Sequence, residues 1–258
     1  MLSVVFHFFS LAQSARIVAM GGFYDVVDDA SQVFHNPALT TCEESTVFQC
    51  TVENRFGMSE LTNRNIVAVT PFSIFHVGAG FSLFGVPTYQ NQAYSGTIAI
   101  HISSKSSVGI RAAWYQTRIP LAENASLAAP LIGAGWYYAV SPQWAVGMQL
   151  SIFSKKLYQI VPFNLTPAFI SASCSWKPLE IFSVSIGAET NYSKKMKMRS
   201  GLDWRVAKVL ALRTGITGNP SAYYVGFGIY HKAIVFDFAV EHHQILGYSP
   251  SLSLSYIL

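Results

Sequence analysis

Charge is scarce in this chain. Only 12% of its 258 residues are Asp, Glu, Lys or Arg, where about 25% is usual in a soluble domain. The net charge of +4 is too mild to argue for nucleic acid. Long hydrophobic runs are missing too, although mean hydropathy is +0.32. No charged residue falls between Asn65 and Ser104, but Pro71, Gly78, Gly80, Gly85, Pro87 and Gly96 interrupt the stretch. A spanning helix needs about 20 predominantly apolar residues in a row. Cysteine is rare: Cys42, Cys50 and Cys174 form no C-x-x-C pair and are odd in number. Cys42 and Cys50 would either pair in an oxidising periplasm or stay free thiols. No Leu-x-x-Cys follows the N-terminal apolar run. Catalytic signatures are absent as well. There is no Gly-x-Ser-x-Gly turn, and His7, His35, His76 and His101 are scattered without metal-ligand spacing. His242 and His243 adjoin Glu241 and a loop containing Ser249, but adjacent histidines at a strand end read as loop polar residues. The chain reads as a non-enzyme without cofactor or metal.

What is present is alternation. Leu252, Leu254, Tyr256 and Leu258 share one parity, and Ser251, Ser253 and Ser255 the other. A period of two sends these sets to opposite faces of a strand. Fourteen such stretches are predicted near 45–54, 65–72, 75–84, 92–103, 107–117, 131–140, 143–154, 167–176, 181–189, 197–206, 209–216, 222–230, 234–242 and 251–258. A closed barrel satisfies every backbone group in lipid without helices. The fold class is therefore all-β, an antiparallel transmembrane barrel. The competing soluble β-sandwich would leave a whole apolar face to be buried elsewhere.

Joints and faces support this reading. Short joints at Phe72–Ile74, Ser104–Ser106, Ser141-Pro142, Lys177–Glu180, Ala207-Lys208 and His231–Ala233 alternate with long ones at Arg55–Arg64, Gly85–Asn91, Arg118–Pro130, Lys155–Thr166, Thr190–Met196, Thr217–Ser221 and His243–Pro250. Short periplasmic turns and longer extracellular loops characterise outer-membrane barrels. An even strand count then puts both ends of the barrel in the periplasm. Charges fall on inward parity: Arg111, Lys197, Arg199, Asp203, Arg205, Arg213, Asp237 and Glu241. Trp114, Trp136, Trp144, Trp176 and Tyr256 are expected near strand ends as an interfacial girdle. Lys155-Lys156 and Lys194-Lys195-x-Lys197 sit in or beside long loops, where they are solvated or touch lipopolysaccharide. The expected setting is the bacterial outer membrane, with its lipid and lipopolysaccharide as neighbours.

The first residues differ. Leu2–Ala12 is apolar and runs into Ala12-Gln13-Ser14, which reads as a signal-peptide core and cleavage site over residues 1–14. The positive n-region is missing, so the start reads as truncated; an N-terminal strand is the alternative. Residues 15–44 do not alternate. They contain Met20-Gly21-Gly22, Asp28-Asp29 and Asn36-Pro37-Ala38, which read as a turn, a helix start and a sharp turn. The barrel is expected over residues 45–258.

This opening resembles the FadL-like outer-membrane proteins, and within them the PorV/PorQ branch, through Arg16, Met20-Gly21-Gly22 and Asn36-Pro37-Ala38. The tail is similar too, at Leu212–Gly215, Gly226-Phe227-Gly228, Asp237-Phe238-Ala239 and Leu246–Ser249 with its Ser-Leu-Ser ending. The middle matches only in pattern. The chain is shorter than many relatives and ends in Leu258, where many outer-membrane proteins end in Phe. The resemblance implies a 14-stranded barrel whose N-terminal segment plugs the lumen. Asp25, Asp28 and Asp29 are then expected to pair with Arg111, Arg199, Arg205 and Arg213, or else the aspartates only cap a local helix. Two functions follow from the resemblance: transport of hydrophobic small molecules, favoured by Phe169, Tyr115, Tyr224 and Tyr230, or a type IX secretion component binding secretion subunits or cargo C-terminal domains.

Overall fold

The computed structural model describes residues 13–23, 25–119, 125–153, 168–190, 196–218 and 221–258. The expected signal peptide thus lies almost wholly outside the described residues, as do Lys155-Lys156 and Lys194-Lys195. Fourteen antiparallel strands form one closed barrel. They are β1 Val47–Asn54, β2 Thr62–Phe72, β3 Phe75–Val86, β4 Tyr89–Ser103, β5 Ser106–Ile119, β6 Ala125–Ala139 and β7 Trp144–Phe153, followed by β8 Ala168–Leu179, β9 Phe182–Thr190, β10 Met196–Ala207, β11 Leu210–Thr217, β12 Ala222–His231, β13 Ile234–His243 and β14 Gly247–Ile257. Each strand pairs with its sequence neighbours, and β1 closes on β14 with Val47 opposite Ile257 and Glu53 opposite Ser251.

Period-two chemistry sets the faces. In β14, Leu252, Leu254 and Tyr256 are 43–47% exposed on the outside. Ser251, Ser253 and Ser255 are buried inside, where Ser253 Oγ bonds Thr51 Oγ1 at 2.8 Å. The outer surface carries Ile66, Ile98, Ile110, Ile132, Met148 and Val225 exposed, as a lipid-facing band requires. Trp144 stacks on Trp176 across β7 and β8 with ring centroids 5.9 Å apart. Both lie at the rim where the barrel begins and ends, as do Trp136 and Tyr256. Trp114 departs from the expected girdle: it lies mid-strand, opposite Tyr94 and Pro130.

The β3–β4 connection also departs from expectation. Gly85–Asn91 reads as a long loop, but only Pro87 and Thr88 separate the strands. The Gln90-Asn91-Gln92 run continues the strand because β5 offers polar partners: Thr117 Oγ1 donates to Asn91 Oδ1 at 2.7 Å. Gly85, at φ +97°, accommodates the turn. Of the two alternatives for Cys42 and Cys50, the free thiols are the one found. Cys50 is exposed on the outside of β1 and Cys42 belongs to a helical turn inside the barrel, so the wall stands between them.

The core is inside the lumen. Residues 15–42 form a short helix α1, Ala15–Ala19, and two 3₁₀ turns, Ala30–Phe34 and Pro37–Cys42. Each has a side-chain cap. Ser14 Oγ accepts from the Ile17 amide at 3.2 Å, Asp29 Oδ1 from Ser31 at 2.9 Å and Asn36 Oδ1 from Ala38 at 3.1 Å. Such caps satisfy amides that helix ends leave orphaned. Pro37 at the first helical position costs no hydrogen bond there, which explains the Asn-Pro-Ala sequence.

Candidate functional site: the plugged lumen

Three contact zones hold the N-terminal segment. Ala30, Val33 and Phe34 pack against Val47, Val67 and Val69 of β1 and β2. Ala15, Val18 and Ala19 pack against Ala222, Tyr224 and Ala239 of β12 and β13. Between them, Ile17, Met20, Phe23, Val26 and Val27 form the segment's own core, with Phe169 of β8 against it. Burying a Phe34-sized side chain contributes about 1.5–3 kcal/mol, so the segment is seated mainly by apolar contact.

Glycines on the inner wall make room for its backbone. A methyl group on Gly147 would collide with the Asp25 carbonyl, one on Gly201 with the Met20 carbonyl, and one on Gly215 with Met20 and Gly21. Gly21 and Gly22 themselves have φ of +85° and +78°, a region that favours glycine. Met20-Gly21-Gly22 is thus the turn that lies against β10 and β11. Asn36 sits over Gly135, and Pro37 and Ala38 over Gly109; Asn36 Nδ2 also donates to the Trp136 carbonyl at 3.3 Å.

Polar latches complete the seat, and they differ from the pairing expected. Among the described residues the ion pairs of Asp28 and of the wall arginines run elsewhere, although the charge of Arg199 is felt at Asp25. Asp28 accepts from Arg16 of its own segment at 3.0 Å, and Arg16 also reaches Asp203 of β10 at 3.7 Å. Asp203 in turn pairs with Arg213 at 3.2 Å, and Arg213 with Asp237 at 2.5 Å. Arg213 donates further to Tyr230 at 2.6 Å. Arg199 donates to the Gly21 and Gly22 carbonyls and pairs with Glu189 of β9. Asp29 binds Ser31 Oγ at 2.5 Å and Gln49 of β1 at 3.4 Å. Arg205 stacks over the Tyr230 ring at 4.6 Å, Glu241 accepts from Tyr224 at 3.3 Å, and Arg111 donates to Ser151 at 2.8 Å.

Asp25 is held by hydroxyls. Ser171 and Ser173 of β8 each donate to it at 2.8 Å. Burial pushes its carboxyl up to about 6, against the opposing pull of Ser173, Ser171 and Arg199. Ser171, Ser173, Gln49 and Glu189 carry no motif of their own. Their inward parity was the one signal in the sequence, shared with every other inward residue.

No triad forms at His242, His243 and Ser249. His242 lies against Tyr248, His243 Nδ1 accepts from the Ile245 and Leu246 amides at 3.2 Å, and Ser249 accepts from Phe56 at 3.1 Å.

A polar cavity of about 150 Å³ lies between the segment and the wall, lined by Arg16, Asp28, Lys177, Glu180, Asp203 and Arg205 among others. It adjoins the β8–β9 turn, at the rim where the barrel begins and ends. Outside, a groove of about 800 Å³ runs over β2–β6. Its floor is Ala68, Ala79, Gly96 and Ala112, successive cross-strand partners.

No protein-family model and no curated protein matches the chain. Solved structures do. The Ralstonia pickettii toluene transporter TbuX superposes with TM-score 0.72 at 12% identity, over 97% of this chain and 100% of that one. The fold is that of the FadL-like barrels. A Pseudomonas aeruginosa FadL homologue superposes with TM-score 0.65 at 11% identity over 95% of this chain and 98% of its own. For the monoaromatic hydrocarbon channel CymD the values are 0.69 and 16%, over 97% and 99%.

Proposed function

We propose that this protein is a bacterial outer-membrane channel for small hydrophobic molecules, with residues 15–44 as its plug. The single observation that carries this reading is the plug itself, seated in the lumen on apolar clusters and bonded to the wall by replaceable polar latches. The toluene and hydrocarbon channels it superposes on are molecules of the same architecture. Passage proceeds by displacement of the plug. The β2–β6 wall has continuous register at mid-height, and its register break lies at the His101–Ser103 end. The polar cavity beside Arg16 and Asp203 separates plug from wall next to the β8–β9 turn, on the rim that this reading places in the periplasm. Signal-directed export accounts for the first residues, and outer-membrane lipid and lipopolysaccharide surround the barrel. Toluene influx into proteoliposomes tests this reading. The full chain supports influx above that of empty vesicles; influx equal to empty vesicles rejects it.

A second reading, the PorV/PorQ type of secretion component, draws support from one observation. Met20, Gly21, Pro37 and Ala38 of that resemblance lay their backbone on the wall glycines Gly201, Gly215 and Gly109, as Asp25 does on Gly147. Co-purification of a secretion subunit or cargo C-terminal domain with the gently extracted barrel tests it.

A further inference from the structure

Two peptide bonds near the N-terminus fit the rule for removal of an export signal. The cut follows a small residue that has a second small residue two places before it. Ser10-Leu11-Ala12 and Ala12-Gln13-Ser14 both satisfy this pattern. Cleavage after Ala12 leaves Gln13 first, and cleavage after Ser14 leaves Ala15 first. The fold separates the two, because the second cut removes a residue that the plug uses.

Ser14 is fully buried, and its amide, carbonyl and hydroxyl are all bonded. The amide donates to Ser31 Oγ at 3.3 Å, the carbonyl accepts from the Val18 amide at 3.0 Å, and the hydroxyl accepts from the Ile17 amide at 3.2 Å. Ser31 in turn binds Asp29. Without Ser14 the first turn of α1 loses two acceptors. The α-ammonium of an Ala15 end would also be fully buried, where the Ala15 nitrogen meets the Ser253 hydroxyl at 2.7 Å. A buried charge is costly unless a counter-charge and hydrogen bonds meet it. Gln13 is only partly buried, so a chain end placed there reaches water.

We propose that the export signal is cut between Ala12 and Gln13, so that the plug begins at Gln13, and that the Gln13 end closes to pyroglutamate. This rests on the reading of the first residues as an export signal. In the closure the Gln13 α-nitrogen attacks the carbon of its own side-chain carboxamide. A five-membered lactam forms as the new carbon–nitrogen bond replaces the old one. The amide nitrogen takes a proton from the attacking amine and leaves as ammonia, so no oxidant or cofactor is consumed. The product is neutral. A neutral end suits this place, partly buried and just ahead of α1, whose first amides disfavour a positive charge.

Intact mass and Edman sequencing of the protein extracted from the outer membrane of the cells that make it test this. We expect the mass of residues 13–258 less one ammonia. Edman degradation should give no signal until pyroglutamyl aminopeptidase has removed the first residue, and should then read Ser14 and Ala15 in turn. Gln13→Asn should keep the cut and read directly, because asparagine would need a four-membered ring. A first residue of Ala15 or Arg16 overturns the cut and leaves the export reading standing. Uncyclised Gln13 overturns the ring closure. A chain that still carries residues 1–12 in the outer membrane overturns the inference together with the export reading. Refolded chains beginning at Gln13 and at Ala15 give a second readout. The Ala15 chain should show higher conductance in planar bilayers, since its plug has lost the Ser14 bonds; equal conductance overturns the role given to Ser14.

Discussion

Asp25 of the plug rests directly on Gly147 of β7. Its carbonyl occupies the space that a side chain on Gly147 would need, while its carboxylate reaches Ser171 and Ser173 on the next strand. Gly147→Val should therefore unseat the plug without unmaking the barrel. We expect higher single-channel conductance in planar bilayers, with heat-modifiable gel migration retained. Gly96→Ala is the control: Gly96 faces the outer groove with nothing within 4 Å, so its conductance should match the parent's.

Plug seating should also depend on pH through Asp25. Its carboxyl is pushed up to about 6 from an ordinary value of 3.8. The folded state therefore binds the proton more tightly than the unfolded state. Stability from this group is present at low pH and is lost as pH rises through about 6. A shift of this size corresponds to about 3 kcal/mol over the whole window from 3.8 to about 6, and about half of that, ~1.4 kcal/mol, remains to be lost above pH 5. In the same detergent, the parent should be more resistant to urea near pH 5 than near pH 7.5. Asp25→Asn should lose most of that difference. An unchanged difference in Asp25→Asn would assign the pH effect to other groups.

Arg213 is the hinge of the charge chain Asp28–Arg16–Asp203–Arg213–Asp237. Its side chain is fully buried, so Arg213→Met leaves Asp237 without its cation and Asp203 with only Arg16 at 3.7 Å. Breaking a buried pair from one side costs about 3–5 kcal/mol, and the urea midpoint should fall accordingly. Arg213→Met combined with Asp237→Leu should recover part of the loss, because the stranded charge is gone.

Arg16 is the outer and wetter end of the same chain, and Asp28 beside it is half exposed. Arg16→Met should cost no more than about 1 kcal/mol of stability. Its effect should appear in permeation instead, since Arg16 lines the cavity between plug and wall. We expect faster toluene influx in proteoliposomes, with the gap between parent and variant narrowing at high salt.

Much of the fold was legible because a barrel wall obeys a local rule. Residue parity sorts Leu252 from Ser253 and turns Arg199 and Arg213 inward without any knowledge of contacts. Strand ends were less legible where polar residues found polar partners, as Asn91 did in Thr117. The plug was legible as a non-alternating segment, and its caps at Asp29 and Asn36 follow from local sequence. Its partners were not. Opposite charge suggested that wall arginines would hold plug aspartates, yet Arg199 spends its donors on the Gly21 and Gly22 carbonyls, and Arg213 on acids of its own wall. Backbone carbonyls leave no mark in a sequence, and neither do serines such as Ser171 and Ser173, chosen only by where the plug lies.

The central claim is that small apolar molecules pass only when the plug shifts. Its most direct test is a lock. In a chain whose three cysteines are replaced by serine, Asp25→Cys and Ser171→Cys would join plug to wall at a contact of 2.8 Å. Toluene influx into proteoliposomes should stop when this pair is oxidised and return on adding dithiothreitol. Influx that is the same before and after reduction, with the crosslink verified by mass spectrometry, would contradict the account.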